Sequence, residues 1–166
     1  KIDNAPTSYN VETAAFRIPQ PTKNGYTFTG WTGTDLSGLT KDVIVNKGSV
    51  GNRHYKANWQ VITYSVTYNL DGGSISGQPT KYTVESTALN IPRPTKTGYT
   101  FLGWTGSNGS TNQLDVIIAH GSTGNKNYTA HWKVNTYTMT VNHCKYNQRT
   151  GQWDIFKVTK DKADYG

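Results

Sequence analysis

The chain says the same thing twice at a fixed spacing. Ile18-Pro-Gln-Pro-Thr-Lys-Asn-Gly-Tyr-Thr-Phe-Thr-Gly-Trp31 and Ile91-Pro-Arg-Pro-Thr-Lys-Thr-Gly-Tyr-Thr-Phe-Leu-Gly-Trp104 stand 73 residues apart. The offset holds without a gap at Gly48/Gly121, Gly51/Gly124, Tyr55/Tyr128, Ala57/Ala130 and Trp59/Trp132. Self-similarity at one period is the mark of an array of like modules, so function is sought first in what an array can do. The expected organisation is a module over 1–61 that lacks its first strand, a complete module over 62–133, and the start of a third, divergent β module over 134–166. The first boundary follows because Lys1 aligns with Ser74, inside a repeat, and the expectation is a monomeric piece of a larger protein.

Modules of this size bury a modest share of their surface and often depend on disulfides or metals. Cys144 is the single cysteine, so no intrachain disulfide can form, and no Cys/His spacing suggests zinc. No metal or cofactor is therefore expected. The aromatic residues must carry the cores, since each buried ring removes about 150–250 Å² from water. The net charge of +7 invites a nucleic-acid partner, but the basic residues are scattered singly with no run and no basic helix, and nucleic acid is excluded as a partner. No apolar stretch approaches the ~20 residues of a membrane helix, so no membrane insertion is expected.

Tyr64-Ser-Val-Thr-Tyr-Asn-Leu70 alternates apolar and polar residues and reads as a strand, closed by a turn at Asp71-Gly72-Gly73. A short strand near 81–84, strand-like residues 98–104, a Gly/Ser/Asn loop over 105–112 and strands over 114–119 and 126–132 follow. Pro92 and Pro94 restrict any helix before them to a short one. In the 98–104 strand, unbroken alternation places Tyr99 and Phe101 on one face and Trp104 on the other. Gly30 and Gly103, inside strands, suggest a bulge or a ring packed over the backbone. In the tail, Tyr137–Asn142 aligns with Tyr64–Asn69; the chain then departs from the repeat and forms a hairpin about Arg149-Thr150-Gly151.

Three separated motifs, Tyr-x-Val-x-Tyr-Asn-x-Asp-Gly-Gly (64–73), Pro-x-Pro-Thr-Lys-x-Gly-Tyr-Thr-Phe-x-Gly-Trp (92–104) and Tyr-x-Ala-x-Trp (128–132), fall in the order and spacing of one family. The chain closely resembles the Listeria-Bacteroides repeat, also called the internalin-type B repeat. The resemblance implies a mainly β fold, α+β at most. It implies small β-grasp-like, ubiquitin- or SUMO-like modules in an elongated tandem array on large secreted or cell-wall-attached bacterial proteins. The implied role is stalk, spacer or adhesion module, and it brings no catalytic residues. The tail resembles the opening of a mucin-binding-type repeat through Met139-Thr-Val-Asn-His143 and a hairpin carrying Gly151 and Trp153, with Cys144 where that pattern has Tyr.

No clustered chemistry competes with this reading. His143 and Cys144 are neighbours on a strand and point to opposite faces, so they form no thiolate–imidazole pair without a bulge, and Cys144 is expected to be buried or half-buried. Asp42/Asp115 and Glu12/Glu85 are matched carboxylates in separate modules, suited to turn and strand-end hydrogen bonds. Aromatic residues are the better candidates for a ligand surface. Tyr26, Tyr99, Trp31 and Trp104 cannot all enter one small core if alternation holds, and Trp153 lies on the divergent hairpin. The expectation is a non-enzymatic, extracellular cell-surface protein with a host protein, glycan or mucin as partner. The alternative is a direct adhesin acting through these aromatics.

Overall fold

The structure, a computed structural model, describes residues 4–164, the side chains of 163 and 164 excepted. The described residues form strands and no helix. The first copy of the repeat supplies β1 (Phe16–Arg17), β2 (Tyr26–Gly33), β3 (Ile44–Val45) and β4 (Tyr55–Val61). The second supplies β5 (Tyr64–Asn69), β6 (Lys81–Tyr82), β7 (Leu89–Ile91), β8 (Tyr99–Gly106), β9 (Gly109–Gln113), β10 (Val116–Ile118) and β11 (Lys126–Val134). The tail is β12 (Thr136–Asn147) and β13 (Gln152–Asp164). One sheet has the order β6-β5-β11-β8-β9, and the pairs β1-β3, β2-β4, β7-β10 and β12-β13 stand as two-stranded sheets. The mainly β expectation holds. Where a short helix was allowed, between β6 and β7, there is a single turn: the Ser86 amide donates to the Thr83 carbonyl at 3.1 Å and the Thr83 amide to Ser86 Oγ at 3.0 Å.

Contacts group the chain into two compact units, of which the first comprises residues 1–66, 80–89 and 118–125. Here Gly25 adopts φ 77°, which a residue with a Cβ rarely takes, and turns the chain into β2. β2 runs antiparallel to β4 with Phe28 opposite Trp59 and Gly30 opposite Asn58, so Thr29 is an extra residue. The bulge brings Phe28 and Trp31 to the same side, their rings 5.3 Å apart edge to face, with Trp59 5.6 Å from Phe28. Gly30 is required by backbone: a Cβ there would stand 3.0 Å from the Thr40 nitrogen, because residue 40 exchanges both backbone hydrogen bonds with Trp31. Of the two expected causes, a bulge or a packed ring, the strand shows the bulge, and the neighbour over this glycine is a chain segment and not a ring. Val84 lies against Gly25 so closely that a Cβ on Gly25 would be 2.0 Å from Val84 Cγ1.

The second unit comprises residues 67–79, 90–117 and 126–166. β8 pairs with β11, Phe101 opposite Trp132 and Gly103 opposite His131, so Leu102 is the extra residue. This overturns the expectation that Trp104 faces away from Phe101. One inserted residue reverses the alternation, and the two rings meet at 5.4 Å. Trp104 also packs on Tyr68 at 5.8 Å and Tyr128 at 6.3 Å and is completely buried. Trp132 donates its indole N–H to the Leu70 carbonyl at 3.0 Å and covers Gly73, where a Cβ would be 2.5 Å from the ring. The loop expected over 105–112 is instead the end of β8, a turn and β9. Asn108 donates to the Trp104 carbonyl at 2.8 Å, and Gly106 and Gly109 at φ 120° and 112° let the chain reverse in two residues.

Candidate functional site

The five aromatic candidates divide sharply. Trp31 and Trp104 are 2% and 0% exposed, so neither presents a ring face to a ligand; each is the centre of an aromatic cluster. The bulge just before each tryptophan is the cause. Tyr26 and Tyr99 are half-buried, and each carries a lysine ammonium over its ring: Lys23 Nζ at 3.6 Å and Lys96 Nζ at 4.2 Å from the centroid. The Tyr26 hydroxyl donates to Glu85 Oε1 at 2.6 Å, a bond that holds the proton on the phenol and raises its pKa. Lys96 is further fixed by donation to the Asp71 carbonyl at 2.7 Å. Each cation covers one face of its ring, a face on which a sugar would otherwise stack.

Trp153 is different, being 68% exposed. β12 and β13 are antiparallel about a turn in which the Gly151 amide donates to the Asn147 carbonyl at 2.8 Å. Register places Tyr146 opposite Trp153, their rings 5.4 Å apart edge to face. Ile155 follows on the same face by alternation, and Phe156, the extra residue of a bulge, is also exposed. An open cleft of about 670 Å³ at this tip is lined by Lys145, Tyr146, Asn147, Arg149, Asp154 and Phe156. The arrangement offers rings for stacking, two cations and a carboxylate that Asn147 holds at 2.7 Å. Tyr146, Ile155 and Phe156 were not singled out from the sequence, although hairpin register about Gly151 brings Tyr146 to Trp153.

The other chemistry-bearing residues are dispersed. His143 Nε2 shares a hydrogen bond with Thr159 Oγ1 at 3.2 Å, and the β13 bulge leaves the alternation of β12 unbroken, so His143 does not meet Cys144. Cys144 is exposed, contrary to the expected burial, because its two-stranded sheet has no third strand among the described residues. Asp115 takes a forked pair from Arg93 at 2.7 and 3.1 Å, and Glu12 pairs with Lys47 at 3.4 Å. Among the described residues no group of His, Cys, Asp and Glu could hold a metal ion, and no helix is long and apolar enough to cross a membrane.

Comparison with known proteins adds an independent line. The chain is 37% identical over 84 residues to Internalin H of Listeria monocytogenes, covering 51% of the chain and 15% of that protein. A protein of Evansella cellulosilytica named as a Gly-rich membrane protein is 34% identical over 149 residues, covering 87% of the chain and 16% of that protein. A second protein of that organism, named as a membrane protein, is 31% identical over 123 residues, covering 72% of the chain and 18% of that protein. The chain therefore spans less than a fifth of each relative's length. No solved structure matches it. The sequence profile of the Listeria-Bacteroides repeat domain matches residues 2–53 and 64–131, so the chain belongs to the Listeria-Bacteroides repeat family.

Proposed function

We propose that the chain is a non-enzymatic repeat region of a bacterial cell-surface protein, outside the cell and either wall-attached or secreted, in which the repeats act as stalk or spacer. The observation that carries this reading is the fate of the repeat aromatics. Trp31 and Trp104 are consumed in cores, and Tyr26 and Tyr99 are capped by lysines, so what the two copies share is scaffold. The names of the relatives, an internalin and two membrane proteins, agree with a surface location. On this reading 1–61, which lacks its first strand, and 62–133 are reduced β-grasp-like modules with one turn in place of the helix, and 134–166 is the start of a third, divergent β module. Linkers such as Gln60–Thr63 are too short for free rotation between neighbours. Small-angle scattering from polypeptides with two, three and four repeats tests it: the longest dimension should grow by a constant step per repeat, and one that fails to grow refutes the stalk.

A second reading, direct adhesion to a host protein, glycan or mucin, is favoured by one feature, the exposed Trp153 and Tyr146 pair beside a cationic cleft. An array of mucins, glycans and matrix proteins should then show binding that Trp153→Ala abolishes. Silence across the array, or binding indifferent to that substitution, removes the hairpin as an adhesin.

A further inference from the structure

β9 is the outer strand of its sheet: β8 pairs with it on one side, and nothing among the described residues pairs with it on the other. Which backbone groups face the open side follows from the register. Gln113 lies opposite Trp104 as Thr40 lies opposite Trp31, and in that first-copy pair each amide donates to the other residue's carbonyl, at 2.8 and 3.0 Å. Gln113 therefore turns its backbone toward β8, and alternation turns the amides and carbonyls of Asn112 and Ser110 outward. Every residue from Gly109 to Asp115 is exposed.

Sheet edges are ordinarily blunted by lysine, by proline or by a covering segment. Here Gly109-Ser-Thr-Asn-Gln-Leu114 carries no charge and no proline, in a chain whose net charge is +7. Neighbouring repeats do not cover the position either. β9 is exposed in the copy that has a repeat before it, and its counterparts Ser37, Gly38 and Leu39 are exposed in the copy that has a repeat after it. What differs between the copies is the strand itself. In the first, Leu36-Ser-Gly-Leu39 joins no strand and only Thr40 bridges to Trp31, so the second copy alone offers a formed edge here.

We propose that β9 is a self-pairing edge whose occupant is β9 of a second copy of this chain, antiparallel about a two-fold axis at Thr111. Such a pair is self-complementary. Ser110 of each copy exchanges both backbone hydrogen bonds with Asn112 of the other, which uses every outward group of the strand. Ser110 and Asn112 line one shallow cleft with Thr105 and His131, so their side chains share a face and meet across the axis as hydroxyl and carboxamide. On the opposite face Thr111 meets Thr111, a pairing that favours antiparallel strands. Charge agrees with this register: Gln113 comes opposite Gly109, Leu114 opposite Asn108 and Asp115 opposite Ser107, so no like charges oppose. The contact is small and the association weak, with a dissociation constant on the order of 0.1–1 mM, sufficient to hold arrays side by side when several contacts act together. The edge stands whether the array is a spacer or an adhesin.

The test uses the whole 166-residue chain, kept reduced so that Cys144 forms no disulfide. Sedimentation equilibrium up to about 2 mM should show monomer and dimer in exchange, and the Ser110 and Asn112 amides should exchange hydrogen more slowly as concentration rises. Thr111→Lys sets two ammoniums against each other at the axis and should weaken dimerisation at least about tenfold, as should Thr111→Asp with two carboxylates. Mixed one to one, these two variants should associate at least about tenfold more tightly than either alone, because only pairing through residue 111 brings them together. Residue 111 is exposed, so both variants keep the fold, and unchanged tryptophan emission verifies it. A chain that stays monomeric, dimers indifferent to both substitutions, a mixture no tighter than its parts, or protection that falls on residues 136–164 instead would each overturn the proposal.

Discussion

Replacing Gly103 by alanine tests the claim that the bulge before Trp104 is set by backbone crowding. Two costs can be separated. Gly103 has φ 135°, outside the range that side-chain-bearing residues favour, a penalty of roughly 1–3 kcal/mol. The new methyl would also stand 2.7 Å from the Gln113 nitrogen and 2.9 Å from its carbonyl carbon. Those atoms belong to β9, not to the end of a flexible side chain, so the strand must shift, at about 1–3 kcal/mol. The sum is roughly 2–6 kcal/mol, a large part of the 5–15 kcal/mol that holds a whole domain. Gly124→Ala isolates the first cost, because at φ 81° it has nothing within 4 Å, and should lose only about 1 kcal/mol. Gly30→Ala falls between them, its nearest atom being the Thr40 nitrogen at 3.0 Å. Urea unfolding followed by tryptophan emission, with hydrogen exchange to assign each transition to its copy, should order the variants Gly103, Gly30, Gly124 from most to least damaged. If Gly103→Ala lies within about 0.5 kcal/mol of Gly124→Ala, the crowding argument is wrong.

Three further outcomes are expected. Burial, and secondarily the neighbouring Tyr128, pushes the Tyr68 pKa up to about 12 from 10.0. The folded value exceeds the unfolded one, so this contribution to stability is whole below pH 10 and lost as pH rises toward 12. Denaturant midpoints measured across that window should fall, and a flat profile contradicts it. Cys144 is exposed, so it should react with a thiol reagent without denaturant and give disulfide dimers under oxidation, both abolished by Cys144→Ser; protection in the native state contradicts the exposed hairpin. Tyr26→Phe removes the bond to Glu85 and should speed exchange of the Ile62 amide, which donates to the Gly25 carbonyl at 2.9 Å. Glu85→Gln keeps an acceptor and should do so less; the reverse order by mass-spectrometric exchange refutes the coupling.

The bulges show where local reading of the sequence stops. Gly103 marks an irregularity by its type, and Tyr99, Phe101 and Trp104 mark strand faces by their spacing. The two inferences are incompatible, because a bulge between 101 and 104 cancels the alternation on which the second depends. Taken together they would have placed Trp104 with Phe101 and withdrawn both tryptophans from the ligand surface. Trp153 could be found because the departure from the repeat drew attention to it. Its partner Tyr146 required the hairpin register, and the exposure of both required knowing that no described residue covers that face. Alternation tells which residues share a side and says nothing of what covers it.

A repeat hides its own contacts in a similar way. Val11 and Val84 are the same residue at the same place in the period, yet Val11 is 47% exposed and Val84 8%. Val84 lies against Gly25 of the preceding copy, and Val11 has no such copy before it among the described residues. Glu12 and Glu85 differ likewise: one pairs with Lys47, the other accepts from Tyr26. Identity across the period reports what each copy does for itself, and a matched position that also touches the neighbouring copy carries a second duty that its residue type does not disclose.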